Sequence, residues 1–140
     1  MPDVTILLVE DNPDDAALTE VALRGLPAHI EVARDGQEAL EYLFNEDNDR
    51  PRLVLLDLRL PNIGGLEVLR RIRENERTCL TPVVILTSST APDDIATGYR
   101  SGANSYVCKP LDFDQFSGLL RELGSYWLAA NEPPPNTPDH

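Results

Sequence analysis

Basic residues are scarce in this chain, and lysine is almost missing. The 140 residues include 12 lysines and arginines against 24 aspartates and glutamates, which gives a formal net charge of −12 at pH 7. Lys109 is the only lysine, beside eleven arginines. Because nucleic-acid backbones attract positively charged surfaces, this balance argues against binding to nucleic acid. The acidic residues either form a solvated surface or gather in part around a cation.

Long apolar segments and clustered cysteines are absent as well. No apolar run approaches the roughly 18 residues of a membrane span, so we expect no membrane association. The start, MPDVTILLVED, lacks the features of a signal peptide, which predicts a cytoplasmic location. Cys79 and Cys108 lack CxxC spacing and are expected to stay reduced. His29 and His140 have no cysteine beside them, so a zinc site is not expected.

Short apolar runs mark the strands of the predicted fold. They are VTILLVE (4–10), PRLVLLD (51–57) and PVVILTS (82–88). Runs that are apolar throughout, rather than alternating, are typical of parallel strands buried on both faces. HIEVAR (29–34) and SYVC (105–108) are weaker strand candidates.

Helical patterns separate these runs. Asn12 can cap a first helix, with Pro13 at its first position and Asp14 and Asp15 near the positive end of its dipole. The last and longest pattern runs from residue 112 to about residue 130. On a helical wheel its apolar stripe, which we assign to the core, consists of Phe113, Phe116, Leu120, Leu123 and Trp127.

The alternation of strand and helix, repeated five times, predicts an α/β fold. We expect a five-stranded parallel sheet of order 2-1-3-4-5, doubly wound and flavodoxin-like, with five helices. Residues 1–128 would form this domain, and the proline-rich residues 129–140 a disordered tail. In such sheets functional groups lie past the carboxyl ends of the strands, near the switch point between the first and third.

Polar residues follow four of the five predicted strands. They are Glu10 and Asp11 after the first strand, Asp57 after the third, Thr87 and Ser88 after the fourth, and Lys109 after the fifth. Carboxylate oxygens suit Mg²⁺, and a nearby ammonium group keeps a carboxylate ionised. A metal ion, a lysine and a hydroxyl around one carboxylate make a site for a phosphoryl group, and the carboxylate can itself be the nucleophile.

These strand ends lie in segments that resemble the receiver domain of bacterial two-component response regulators. The segments are ILLVEDNPDD, LVLLDLRLPNIGGLEVL, PVVILTSS and GANSYVCKP, in that order, and the resemblance covers residues 3 to about 128. It implies that Asp57 accepts a phosphoryl group from a phosphohistidine on a sensor histidine kinase. It also implies that Glu10, Asp11 and Asp57 bind Mg²⁺ together with the backbone carbonyl of Arg59. Glu10 stands where many relatives have aspartate.

The resemblance further implies a set of phosphoryl-binding and switch residues, namely Thr87, Ser88, Tyr106 and Lys109. Thr87 would move toward the phosphoryl group, Tyr106 would turn inward behind it, and Lys109 would bind a phosphoryl oxygen. The peptide bond between Lys109 and Pro110 would be cis.

A narrower resemblance is to small single-domain regulators paired with phytochrome-type histidine kinases. The features that carry it are VEDNPDD, RPRLVLLDLRLP and the tryptophan late in the last helix. With about 130 residues taken by the receiver, we expect no DNA-binding domain, so signalling would use phosphorylation-dependent contact with another protein. A phosphorelay intermediate or a chemotaxis-like regulator is the alternative.

Two further classes remain open. A Mg²⁺-dependent phosphatase with an aspartyl-phosphate intermediate needs a second acid two residues after the nucleophile, where this chain has Arg59. A scaffold that is never phosphorylated would not need the complete set of strand-end residues. We therefore expect a stoichiometric phosphoacceptor with slow self-dephosphorylation rather than an enzyme.

A wide apolar arc on the last helix predicts a homodimer. The arc spans about 140°, more than one contact with a sheet needs. We place the interface on the fourth and fifth helices and the fifth strand, with Tyr99, Tyr106, Leu119 and Tyr126 as its residues.

Overall fold

Five strands alternate with five helices in residues 4–135, the part of the chain that the computed structural model describes. The strands are β1 (Thr5–Val9), β2 (His29–Ala33), β3 (Leu53–Leu56), β4 (Val83–Thr87) and β5 (Ser105–Cys108). The helices are α1 (Pro13–Leu23), α2 (Gly36–Phe44), α3 (Gly65–Glu74), α4 (Pro92–Arg100) and α5 (Phe113–Ser125). A π-helical segment, Tyr126–Ala130, continues α5. In residues 4–135 no helix combines the length and the apolar character that a membrane span needs.

The strands form one parallel sheet of order β2-β1-β3-β4-β5, which confirms the predicted fold class. Helix α1 packs with α5 on one face of the sheet, and α2 packs with α3 on the other. The helices that follow the neighbouring strands β1 and β3 therefore leave toward opposite faces. The switch point between β1 and β3 opens a crevice at the carboxyl ends of the strands.

Successive residues of the central strands point into different cores. Leu7 and Val9 belong to the core under α2 and α3, while Ile6 and Leu8 belong to the core under α1 and α5. All four side chains are at most 2% exposed. The uninterrupted apolar runs of the sequence are thus explained by burial of both faces.

The helix that begins next to β1 starts as predicted. The Asn12 side chain accepts hydrogen bonds from the backbone N–H groups of Asp14 and Asp15, and Pro13 is the first residue of α1. This cap fixes the direction in which the first turn leaves the sheet edge.

The last helix follows the predicted stripe except at its first residue. Phe116 and Leu120 are buried, and Leu123 and Trp127 are partly buried against the same core. Phe113, however, is 50% exposed, so its assignment to the core is wrong. A wheel gives the angular position of a side chain around the helix, but it does not show how much of the helix length is covered by the core.

The predicted boundary at residue 128 falls inside the π-helical segment. Residues 131–135 form neither helix nor strand, and residues 136–140 of the predicted tail lie outside the described residues. The disordered tail stays a prediction.

Candidate functional site

Backbone hydrogen bonds hold the strand-end residues in register at one edge of the sheet. The N–H of Asp57 donates to the carbonyl of Val9 at 3.1 Å, and the N–H of Lys109 donates to the carbonyl of Thr87 at 2.8 Å. Glu10 is held in the same way from the other side, by the carbonyl of Ala33 at 3.0 Å. The parallel ladder thus continues one residue past the strands and brings their polar side chains together.

The loop after Asp57 is pressed against the start of α3. The N–H of Gly65 donates to the carbonyl of Leu58 at 3.0 Å, and a Cβ atom at Gly65 would overlap the carbonyl oxygen of Asp57. The N–H of Arg59 donates to Asp57 Oδ1 at 3.0 Å. Glycine at position 65 therefore allows α3 to approach the backbone of Asp57 closely, while the Arg59 N–H holds one carboxylate oxygen of Asp57.

The ammonium group of Lys109 lies among three carboxylates. Its Nζ is 2.6 Å from Glu10 Oε1, 3.0 Å from Asp57 Oδ2 and 3.0 Å from Asp15 Oδ2. The Lys109 side chain is 11% exposed, and an ammonium group has three hydrogens to donate. Each donor therefore has a carboxylate partner in this state.

Asp15 is a member of this cluster that the sequence analysis missed. We assigned it to the helix dipole, because acids in a first turn are common for that reason. Asp15 is the third residue of α1 and follows Asp11 by four residues, which places it near the sheet edge, but the sequence pattern does not show in which direction its side chain points.

The predicted metal ligands lie together. Glu10, Asp11 and Asp57 each have a carboxylate oxygen within 4.8 Å of the other two. Glu10 and Asp57 are buried and Asp11 is exposed, so the cluster opens to solvent on the side of Asp11. Hard carboxylate oxygens at this spacing, with solvent access, fit the preference of Mg²⁺ for a few carboxylates and several waters.

Burial and neighbouring charges shift the ionisation of two groups in the cluster. Burial raises the pKa of Glu10 from 4.5 to about 7; the hydrogen bond from Lys109 opposes this rise, and the charge of Asp57 adds to it. For Lys109, burial lowers the pKa, but the hydrogen bond to Glu10, the charge of Asp57 and the hydrogen bond to Asp15 together raise it above its ordinary value. Lys109 is therefore charged at neutral pH, while Glu10 titrates close to it.

The raised pKa of Glu10 predicts a pH-dependent affinity for Mg²⁺. A ligand carboxylate must be ionised, and the metal-free pKa of about 7 means that a proton competes with the ion below that pH. As the pH falls below 7, we expect the affinity to drop by up to about tenfold per unit, whereas above about pH 8 it should be nearly constant. Isothermal titration calorimetry with MgCl₂ across this range measures the effect. Glu10→Gln should bind more weakly and lose the dependence, and equal wild-type affinity at pH 6 and pH 8 would contradict the prediction.

The two hydroxyl residues after β4 lie in different surroundings. Thr87 is fully buried, and its Oγ1 has no hydrogen-bond partner among the described residues. Ser88 is exposed. A buried hydroxyl without a partner is uncommon, because it loses its bonds to water without replacement. Thr87 thus has a free hydrogen-bonding group at the edge of the sheet where the carboxylates lie.

Tyr106 is tied to the loop after β4. Its hydroxyl donates to the carbonyl of Ser89 at 3.0 Å, and the Ser89 hydroxyl donates to Asp94 Oδ2 at 2.5 Å. A Cβ atom at Gly98 of α4 would lie 3.2 Å from the Tyr106 ring, so glycine leaves room for this ring. Ser89, which the sequence analysis did not single out, therefore joins β5 to the start of α4.

The predicted cis bond between Lys109 and Pro110 is wrong. All peptide bonds in residues 4–135 are trans, this one included. The trans isomer of an X–Pro bond is intrinsically favoured by about 0.5–1 kcal/mol. Since Lys109 reaches three carboxylates with a trans bond, its placement does not require the cis isomer.

The residues of the predicted dimer interface lie on α4, on β5, and on α5 with its π-helical continuation. Leu119 and Tyr126 line a hollow of about 420 Å³ between the start of β5 and α5, where Tyr126 packs edge-on against Trp127 at 5.2 Å between ring centroids. Tyr99 is 50% exposed on α4, and Tyr106 is partly buried on β5.

A parallel sheet of order 2-1-3-4-5 with an acidic cluster and a lysine at its carboxyl edge defines a class of signalling domain. The family model for the response regulator receiver domain matches residues 6–121. The chain belongs to this family, and it is a response regulator of the two-component signalling systems.

Two curated relatives match nearly the whole chain. The probable methanogenesis regulatory protein FilR2 of Methanothrix harundinacea is 46% identical over 134 residues, covering 92% of this chain and 86% of FilR2. The response regulator Rcp1 of Synechocystis is 35% identical over 133 residues, covering 91% of this chain and 90% of Rcp1.

Solved structures agree with these matches. The Mn²⁺-bound form of Rcp1 superposes with a TM-score of 0.88 at 33% identity, covering 94% of this chain and 99% of the other. The phosphorylated cyanobacterial phytochrome response regulator RcpA superposes with a TM-score of 0.89 at 35% identity over the same shares. The chain is thus similar to phytochrome-associated response regulators, as its sequence suggested.

Proposed function

We propose that this response regulator is a switch controlled by phosphorylation of Asp57, with a sensor histidine kinase as donor and Mg²⁺ as cofactor. The observation that carries the proposal is the convergence on Asp57 of the Lys109 ammonium group and two further candidate metal ligands. The buried, unpartnered hydroxyl of Thr87 lies at the end of the neighbouring strand β4. Asp57 is the member of this group that contacts Lys109, belongs to the metal cluster and is held by the backbone of Arg59.

Glu10, Asp11 and Asp57 would hold the ion, with the backbone carbonyl of Arg59 as a further ligand. When bound, Mg²⁺ would offset the repulsion among these carboxylates and neutralise charge on the phosphoryl oxygens. The similar regulator Rcp1 has been solved in a Mn²⁺-bound form, which supports a divalent cation in this family.

The transfer itself is a displacement at phosphorus. An oxygen of the Asp57 carboxylate attacks the phosphorus of the phosphohistidine, the O–P bond forms, the P–N bond breaks, and its electron pair goes to the histidine nitrogen. Lys109 can stabilise the charge on a phosphoryl oxygen, since its ammonium group already lies 3.0 Å from Asp57 Oδ2. Arg59 stands where a phosphatase would need a second acid, so release of the phosphate is expected to be slow.

The signal would leave the site through Thr87, Ser88 and Tyr106. Thr87 has a hydroxyl free to donate to a phosphoryl oxygen, and Tyr106 contacts the loop that follows β4. A displacement of that loop would alter the surface formed by α4, β5 and α5. Output would then be a contact with another protein through this surface.

The kinase is proposed to be of the phytochrome type. This rests on the likeness to Rcp1 and to RcpA, which is a cyanobacterial phytochrome response regulator. The cytoplasmic location stays a prediction.

Incubation with Mg²⁺ and acetyl phosphate tests the proposed function. One acid-labile phosphate per chain supports the switch. Repeated turnover of acetyl phosphate would indicate a phosphatase instead, and an absence of label would indicate a scaffold.

A homodimer through the α4–β5–α5 side is a further part of the proposal. We expect wild-type protein to sediment as a dimer at high micromolar concentration, and Tyr126→Glu to weaken the dimer by at least about tenfold, because it places a charge in the hollow beside Trp127. Val21→Glu is the matched control, since Val21 is a similarly exposed apolar residue on α1. Monomer alone, with and without phosphorylation, would refute the dimer.

A further inference from the structure

Asp15 occupies a fixed place beside the site. Its N–H is held by the Asn12 side chain at 3.1 Å, and its carbonyl accepts a hydrogen bond from the Thr19 hydroxyl at 2.8 Å. The N–H of Asn12 in turn donates to Glu10 Oε2 at 3.2 Å. One capping residue therefore sets both the first turn of α1 and the orientation of Glu10.

The carboxylate of Asp15 differs from the other two partners of Lys109 because it has no second role in the site. Glu10 and Asp57 both belong to the metal cluster, and Asp57 is also the proposed acceptor. Asp15 lies outside that cluster, and its side chain is 35% exposed against 3% for Glu10 and 10% for Asp57. It is thus the partner that can keep its contact with Lys109 while Glu10 and Asp57 take part in the reaction.

We propose that Asp15 is a positioning residue for phosphoryl transfer, which holds the Lys109 ammonium group toward α1 and so leaves it directed at an incoming phosphoryl oxygen. The inference rests on the proposed function of Asp57. Without Asp15, the remaining acceptors of Lys109 are Glu10 and Asp57, and the ammonium group settles on the acceptor carboxylate itself. The lysine then shields the nucleophile instead of meeting the charge on the phosphoryl group.

The alternative explanation is that Asp15 affects the phosphorylation rate only through its negative charge. In an acidic protein, removing a carboxylate near the site eases the approach of a negatively charged donor, which speeds the reaction. The two explanations predict opposite signs. Asp14 offers a matched control, since it is an exposed aspartate in the same turn whose backbone N–H is capped by the same Asn12.

The experiment measures initial rates of phosphate incorporation from acetyl phosphate at saturating Mg²⁺. We expect Asp15→Asn to lower the maximal rate by about fivefold, in keeping with the loss of one partly exposed charge-assisted contact, and Asp15→Glu to recover most of it. Asp14→Asn should stay within about twofold of wild type. Thermal unfolding of each variant shows whether the fold is kept.

Because the chain has a single lysine, NMR can monitor the contact between Lys109 and Asp15 directly. Protein labelled with ¹⁵N-lysine has one side-chain ammonium group, that of Lys109, so its resonance and proton exchange report on this site alone. We expect faster proton exchange in Asp15→Asn and wild-type behaviour in Asp14→Asn, a difference that a merely structural role of Asp15 would not produce.

Wild-type labelling separates the failure of this inference from the failure of the proposed function. If wild-type protein takes up no phosphate, the function falls and the inference with it. If wild type is labelled and Asp15→Asn reacts as fast or faster, or Asp14→Asn slows equally, the positioning role is overturned and the function of Asp57 stands. An unchanged Lys109 ammonium signal in Asp15→Asn also overturns it.

Discussion

Asp57→Asn is expected to abolish phosphate uptake from acetyl phosphate completely. The amide has nearly the shape of the carboxylate, so its oxygen can still accept the hydrogen bond that Arg59 N–H now gives to Asp57 Oδ1. An amide oxygen is, however, a poor nucleophile, and it forms no stable acyl phosphate. Intact-mass measurement after incubation with Mg²⁺ and acetyl phosphate should show phosphorylated wild type and unmodified variant.

A second variant separates the nucleophile from the metal site. Asp11→Asn keeps Asp57 but weakens the solvent-facing side of the acidic cluster. It should still be labelled, at a higher Mg²⁺ concentration than wild type needs. One phosphate per chain in the Asp57→Asn protein would falsify the assignment of the acceptor.

The fold was predictable because the sheet is buried on both faces. That burial requires continuous apolar runs in the three central strands. With two weaker strand candidates and helical patterns between all five, few topologies remain once crossovers are right-handed. The same logic located Glu10, Asp57 and Lys109, since residues just past parallel strands share one edge of the sheet. Their contacts of 2.6 and 3.0 Å with the lysine follow from that placement.

Contacts that depend on the path of a loop or a helix start were not predictable. Asp15 faces the site because the Asn12 cap sets the direction of the first turn, and a sequence pattern carries no such direction. The helical wheel placed Phe113 in the apolar stripe of α5, but it is 50% exposed and belongs to neither core cluster. Of the two serines after Thr87, Ser88 is exposed and Ser89 is buried. The two residues are adjacent in an irregular loop, and the sequence does not show which of them points inward.

Lys109→Arg should fold but respond to acetyl phosphate at least about tenfold more slowly than wild type. In the structure one compact ammonium group donates in three directions, to Glu10, Asp15 and Asp57. A guanidinium group is planar, and it favours paired contacts with a single carboxylate. In a site where the lysine is 11% exposed, that preference would join it to Asp57 and place it where the metal ion and phosphoryl oxygens must enter.

This explanation separates the shape of the cation from its charge. Lys109→Arg keeps the charge, so Mg²⁺ binding should persist in weaker form while both the labelling rate and the phosphorylation-dependent contact with a partner fall. Arg34→Lys is the control, because Arg34 follows β2 at the same sheet edge and lies outside the carboxylate cluster; it should behave as wild type. If Lys109→Arg and wild type are labelled at equal rates and bind the partner equally once phosphorylated, this position needs only a positive charge. The single lysine among eleven arginines would then have no chemical cause at this site.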